Sequence, residues 1–209
     1  MDIIGDSTLT TLQLPASITA DGNTAGVDCR NLIGQGAIIL TARNTAGSSP
    51  TLALKLQGSA DTNVVTSVTP GTNTGNGTCT QVRGGPDCVA ETYTITFTSA
   101  SAFGITGTVS GALAAGVVGT LYSTATIEFM ITAGGTAWAN NDTIVIIVTA
   151  RTYADVAGGG FTSLTTVSKI EKKALNFDHL PRYLRMNYDI GGTVSPAYTL
   201  GIFAQSATN

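Results

Sequence analysis

His179 is the single histidine of this chain, and it stands beside Asp178 in the segment Leu175–Ile190 that follows the run Lys169–Lys173. An imidazole next to a carboxylate can act as a general base, provided a nucleophile or substrate proton lies within hydrogen-bond reach. The sequence holds no G-x-S-x-G elbow, so a capping or packing role is expected for His179. One histidine cannot build a multi-histidine metal site, and Cys29, Cys79 and Cys88 lack the C-x-x-C spacing of a zinc site. Asp21-Gly-Asn23 with Asp28 has the start of a calcium loop but neither its alternating acidic positions nor its closing Glu, and reads as a turn. Gly34-Gln-Gly36 precedes an apolar strand, not a helix, which excludes a dinucleotide fingerprint, and Gly158–Gly160 reads as a loop. Asn76-Gly-Thr78 and Asn141-Asp-Thr143 match the glycosylation acceptor pattern by chance at this Asn and Thr content. These residues predict no catalytic group, no metal and no cofactor.

Cys79 and Cys88 flank eight residues, Thr80–Asp87, that can fold back as a hairpin. They form either a disulfide, if the protein matures outside a reducing cell, or two free thiols.

The remaining chemistry is that of contact. Five of the ten basic residues fall in one stretch: Lys169, Lys172, Lys173, Arg182 and Arg185. Glu171, Asp178 and Asp189 interrupt it, which suits ion pairing better than a phosphate track. A net charge of −3 likewise disfavours nucleic acid as a partner. The stretch is either a solvated sheet edge guarded by lysines or a docking face anchored by Arg182, Tyr183 and Arg185.

The elements that would position these residues are strands. Of 209 residues, 43% are hydrophobic and 11% charged, enough apolar surface for a core and too little charge for a disordered chain. No apolar run approaches the length of a membrane-spanning helix, and Ile144–Val148 reads as a buried strand. Met1–Asp6 has neither the basic nor the long apolar region of a secretory signal, so synthesis in a cytoplasm is expected.

Leu52, Leu54 and Leu56 alternate with Thr51, Ala53, Lys55 and Gln57, and residues 35–43 read as a strand buried on both sides and closed by Asn44–Pro50. Residues 66–86 read as loop. Tyr93, Ile95 and Phe97, then Ile127, Phe129 and Ile131, alternate with polar residues, and no Lys or Arg occurs between Arg83 and Arg151. Leu184–Ile190 and Tyr198–Ala204 alternate in turn about Gly191-Gly192, which predicts a hairpin there. Ser168–Leu175 is the one stretch with room for a turn or two of helix. The expectation is an all-β chain: an antiparallel β-sandwich, jelly-roll-like, from 1–65 plus 153–209, with a small β module at 66–152 inserted in it.

Two groups of segments carry a resemblance. Leu52-Ala-Leu-Lys-Leu-Gln-Gly-Ser59, with Leu175-x-Phe-x-x-Leu-Pro-Arg-Tyr-Leu-Arg185 and Gly191-Gly-Thr-x-Ser-Pro-Ala-Tyr-Thr-Leu-Gly-Ile-Phe203, is similar to small structural proteins of tailed bacteriophages. Glu91–Ala100, Gly107–Gly111, Ile131–Ala137 and Asn141–Ile144 resemble a β module recurring in phage virion proteins. The resemblance implies a non-enzymatic virion protein, a decoration or cement protein on the outer surface of the head. It implies the major capsid protein as partner, a homotrimer, and no nucleic acid, membrane or small-molecule substrate. The partner surface is then expected at Lys172, Lys173, Arg182, Tyr183 and Arg185 and at the N-terminal residues Asp2, Ile3 and Ile4. The alternatives are a tail or baseplate component, or a carbohydrate-binding module stacking sugars on Trp138, Tyr122 and Tyr153.

Overall fold

The structure, a computed structural model, describes residues 7–60, 64–165 and 168–207. In chain order its strands are β1 (Ser7–Ile18), β2 (Gly22–Asn23), β3 (Val27–Asp28), β4 (Ile33–Ser59), β5 (Val65–Pro70), β6 (Thr78–Gly84), β7 (Glu91–Phe97), β8 (Ala102–Gly107), β9 (Gly111–Val117), β10 (Leu121–Ser123), β11 (Ile127–Thr132), β12 (Thr143–Val148), β13 (Ala154–Gly160), β14 (Ser168–Asn176) and β15 (Tyr183–Ala207). One 3-10 turn, Phe177–His179, joins β14 to β15. All the strand pairings are antiparallel, and the protein is an all-β sandwich. The chain divides into two compact units, Met1–Ala60 with Tyr153–Asn209, and Asp61–Thr152.

The first unit is built on one pair. β4 and β15 run antiparallel along their whole length, from Tyr183 opposite Ser59 to Ala207 opposite Ile33. At one end of this ladder β1 adds to β15 and β14 adds to β4. At the other end β2 and β3 add to β15 and β13 adds to β4. Alternation sends Ile38, Leu40, Ala42, Tyr198, Leu200, Ile202 and Ala204 inward from one half, and Leu52, Leu54, Leu56, Leu184 and Met186 inward from the other. These residues form a single apolar cluster, so the sheet is folded over and its two halves enclose one core.

The fold-over lies where the ladder is irregular, with register shifts at Gly191/Thr193, Thr193/Ala197 and Ala197/Tyr198. Gly47 (φ 104°), Ser49 (φ 48°) and Gly192 (φ 124°) take left-handed backbone there. Each strand meets the other's proline with a glycine. A Cβ on Gly47 would come 2.7 Å from the Pro196 Cα, and one on Gly192 would come 2.9 Å from the Pro50 Cα. A side chain at either place meets backbone, which no rotamer change can relieve.

This corner corrects two expectations. Asn44–Pro50 and Gly191-Gly192 do not reverse the chain. Both are bends inside continuous strands, because each supplies the other's backbone partners through the corner. Two further segments differ from the sequence reading. Ser168–Asn176 is strand β14, paired residue for residue with Gln35–Arg43, so its helical propensity yields to tertiary pairing. The stretch 66–86 holds most of β5 and all of β6, whose partners β12 and β11 lie too far along the chain for local periodicity to show them.

The second unit is a sandwich of a five-stranded sheet, β5-β12-β7-β8-β9, and a three-stranded sheet, β10-β11-β6. Its core holds Tyr93, Ile95, Phe97, Phe103, Phe129 and Trp138.

Replacing Gly192 with Ala is expected to destabilise the protein by about 1–3 kcal/mol, the range for a strained backbone position. Urea unfolding checks this as a lower midpoint at unchanged slope, with exposed Ala46→Ser at the same corner showing no shift.

Candidate interaction surface

The basic stretch is spread over β14, the 3-10 turn and the start of β15, and most of its charges are engaged within the chain. Just before β15, Arg182 donates from Nε to both carboxylate oxygens of Asp28, at 3.1 and 3.2 Å, and from Nη2 to Oδ2 at 2.7 Å. Arg30 approaches the same carboxylate from the other side, donating from Nη2 to Oδ2 at 2.6 Å. Burial of Asp28 raises its pKa, but the hydrogen bonds from Arg182 and Arg30 outweigh it and hold the carboxyl at about 2.

Arg185 donates from Nε to Gln57 Oε1 at 3.0 Å and lies 4.2 Å above the Tyr153 ring. Gln57 in turn donates to Asp155 at 2.9 Å, and Lys55 reaches the second oxygen of Asp155 at 3.1 Å. These two donors lower the Asp155 pKa. On β14 the inward-facing residues Lys169 and Lys173 share Glu171, at 2.7 and 4.0 Å. Glu171 also accepts from the Thr162 backbone N–H, which helps hold its pKa down against desolvation.

Tyr183 is 2% exposed, with the Arg182 guanidinium 4.9 Å above its ring, so it is covered within the chain and cannot be a surface anchor. Of the expected partner residues, Lys172 alone is both exposed and without an internal partner among the described residues. Asp2, Ile3 and Ile4 lie outside the described residues.

His179 ends the 3-10 turn at the surface, and Asp178 accepts from the Gly34 backbone N–H at 2.8 Å. Asp178 is thus a tie between segments, not the orienting partner of a base. Among the described residues no group of three His, Cys, Asp or Glu side chains is placed to hold a metal ion. All three cysteines are free. Cys79 and Cys88 are not bonded, and burial pushes both thiols up to about 11 and that of Cys29 to about 12.

The aromatic set is corrected as well. Trp138 is 3% exposed, stacked on Phe97 at 4.1 Å between ring centroids, and its indole N–H donates to the Thr132 carbonyl. Tyr122 is buried against Phe129 and donates its hydroxyl to the Ala114 carbonyl. Tyr153 lies beneath Arg185. Trp138 and Tyr122 offer no open face to a sugar ring, and Arg185 covers one face of Tyr153.

The second unit's buried ionisable groups hold its turns. Glu91 accepts from the Val109 and Ser110 backbone N–H groups and from the Ser110 hydroxyl at 2.6 Å. Asp142 accepts from the N–H groups of Thr74, Gly75 and Ala139. Arg151 donates to the carbonyls of Gly84 and Gly85.

The sequence reading missed Arg43, the last residue of a strand taken as buried on both faces. It is exposed on β4 opposite Ser168, and no ion pair reaches it among the described residues.

No family model and no curated protein matches this chain. Among solved structures, two crystal forms of Xanthomonas campestris FlgL are similar at 19% identity and a TM-score of 0.35 over 49% of this chain. The match spans 33% and 32% of the two FlgL chains, about a third of their length. At that similarity it carries no argument about fold or function.

The Asp28 carboxyl is held below its usual value of 3.8, so its contribution is full above pH 3.8 and is lost as the pH falls through about 2. Asp28→Asn is expected to be less stable than the parent at pH 7, and the gap to narrow as the pH falls from 4 to 2. Urea midpoints measured across that range read the difference directly.

Proposed function

We propose that this chain is a non-enzymatic structural protein of a tailed-phage virion, a decoration protein that binds the outer surface of the head and strengthens contacts between capsomers of the major capsid protein. The reading rests on the phage-like segments of the sequence. What supports it in the fold is that those segments, remote in sequence, are hydrogen-bonded neighbours: Leu52–Ser59 pairs with Tyr183–Ile190 position by position. The first group of phage-like segments is therefore carried by one structural unit, and the second group falls within the other, Asp61–Thr152.

The ionisable groups fit the same reading. Asp28, Glu91, Asp142, Arg151 and Glu171 are each spent holding a turn or a neighbouring strand, the use expected of charge in a load-carrying β protein. Binding to a capsid would then come from buried apolar area and a few cationic anchors. A homotrimer placed where capsomers meet would multiply a modest contact through avidity.

Heads stripped of accessory proteins are expected to cosediment with the purified protein, and to break at a higher temperature with it than without it. If the protein stays in the supernatant and leaves the breakage temperature unchanged, the decoration reading falls.

A further inference from the structure

We infer that the outer face of the half-sheet formed by β14, β4, β15 and β1 is the docking surface, and that its occupant is an acidic, partly apolar protein surface. The inference rests on the decoration reading and deepens it by naming the face that meets the capsid.

The face is defined by register. Lys172 lies opposite Ile39, which lies opposite Phe203; Ile170 lies opposite Thr41, which lies opposite Gly201; Ser168 lies opposite Arg43, which lies opposite Thr199. These positions alternate with Ile38, Leu40, Ala42, Leu200 and Ile202, all turned into the core. Directly opposed residues on a sheet point the same way, so the three rows form one outward surface.

That surface carries exposed apolar area. Ile170 is 78% exposed on the edge strand β14, in the row between Lys172 and Ser168, and Ile39 and Phe203 lie on the same face. Gly201 leaves room for the Pro15 ring, which lies 3.3 Å from where a Cβ would stand. Pro15, Thr41, Arg43, Ser168, Ile170 and Gly201 line an open groove of about 220 Å³.

Its charges are unusual. Every other lysine and arginine meets a carboxylate, a carbonyl or the Gln57 amide within the chain. Arg43 and Lys172 meet none among the described residues, and both belong to this face. The three rows contain no Asp or Glu. On the other half-sheet, by contrast, Asp28 and Asp155 neutralise Arg182, Arg30 and Lys55.

Covering Ile170 brings both cations into a contact from which water is being excluded. A cation in such a contact is costly unless a carboxylate answers it. The complementary partner therefore carries carboxylates about an apolar patch. Arg43 and the Lys172 row are four residues apart along β4, so those carboxylates stand roughly 13 Å from one another at the strand's rise per residue. Two cations separated by Ile170 are too few and too apolar a set to track a phosphate backbone.

The test uses the full chain and stripped heads. The double variant Arg43→Glu/Lys172→Glu removes no internal partner and is expected to bind heads at least about tenfold more weakly than the parent, as reversal of a central charge pair does. Ile170→Asp is expected to act in the same direction, and Lys55→Glu, a single charge reversal on the other half-sheet, to bind like the parent. Parent binding should weaken as salt rises. Parent binding with an unaffected double variant, or with Lys55→Glu weakened as much, overturns this inference and leaves the decoration reading standing. A double variant that changes oligomeric state while its monomer binds heads normally also overturns it, by giving the face to a second copy. A parent that binds no heads overturns the decoration reading itself, and with it the capsid as occupant.

Discussion

A ladder between strands of 27 and 25 residues sets the terms for the first unit. At about 3.3 Å per residue such a pair, left straight, would reach roughly 80 to 90 Å. A unit of this size is far smaller than that, with a radius of gyration on the order of 13 Å. A straight ladder would also leave one apolar face wet over its whole length. Bending the pair on itself solves both problems, since the two apolar halves then cover each other. The reciprocal contacts of Gly47 with Pro196 and Gly192 with Pro50 locate the bend, because glycine alone accepts the backbone angles and the close approach found there.

The same corner explains what could and could not be read from the sequence. Inward positions were legible: Leu52, Leu54 and Leu56, and Tyr198, Leu200, Ile202 and Ala204, are all buried as their alternation indicates. Strand continuity was not. Glycine and proline mark a change of chain direction without saying whether the chain reverses or only bends, and that choice depends on a partner more than a hundred residues away. β14 differs from its local signal for a similar reason, since the helix-favouring residues of Ser168–Leu175 become a strand by pairing with β4.

For the surface, the sequence located the charge but not its allocation. Arg182, Arg185, Lys169 and Lys173 look alike as letters. In the structure they are already committed to Asp28, Gln57 and Glu171, contacts that join segments up to 154 residues apart. What distinguishes Lys172 from Lys173 is the side of one strand on which it falls. Arg43 was invisible because an apolar strand with a single terminal cation resembles a fully buried one. Trp138 and Tyr122 show the converse: in a chain with few aromatics they were needed for the core and had no freedom to be displayed.

The ends of the second unit have a further consequence, for the order in which the chain folds. Val65 pairs with Val148, and the Thr149 N–H donates to the Val64 carbonyl, so the segment leaves and returns at neighbouring points. Until it folds, β4 and β13 are the ends of a loop of some ninety residues, and β4 and β15 are farther apart still. Loop closure grows costlier by about 0.6 kcal/mol with each doubling of loop length, and non-local pairings of this kind are slow to form. Once the second unit has folded, β4 and β13 are separated by only a few free residues. Its early formation thus converts the distant pairing of β4 with β13 into a nearly local one and shortens the loop between β4 and β15, so a lesion in the aromatic core around Phe97 would be felt as slower assembly of the first sheet.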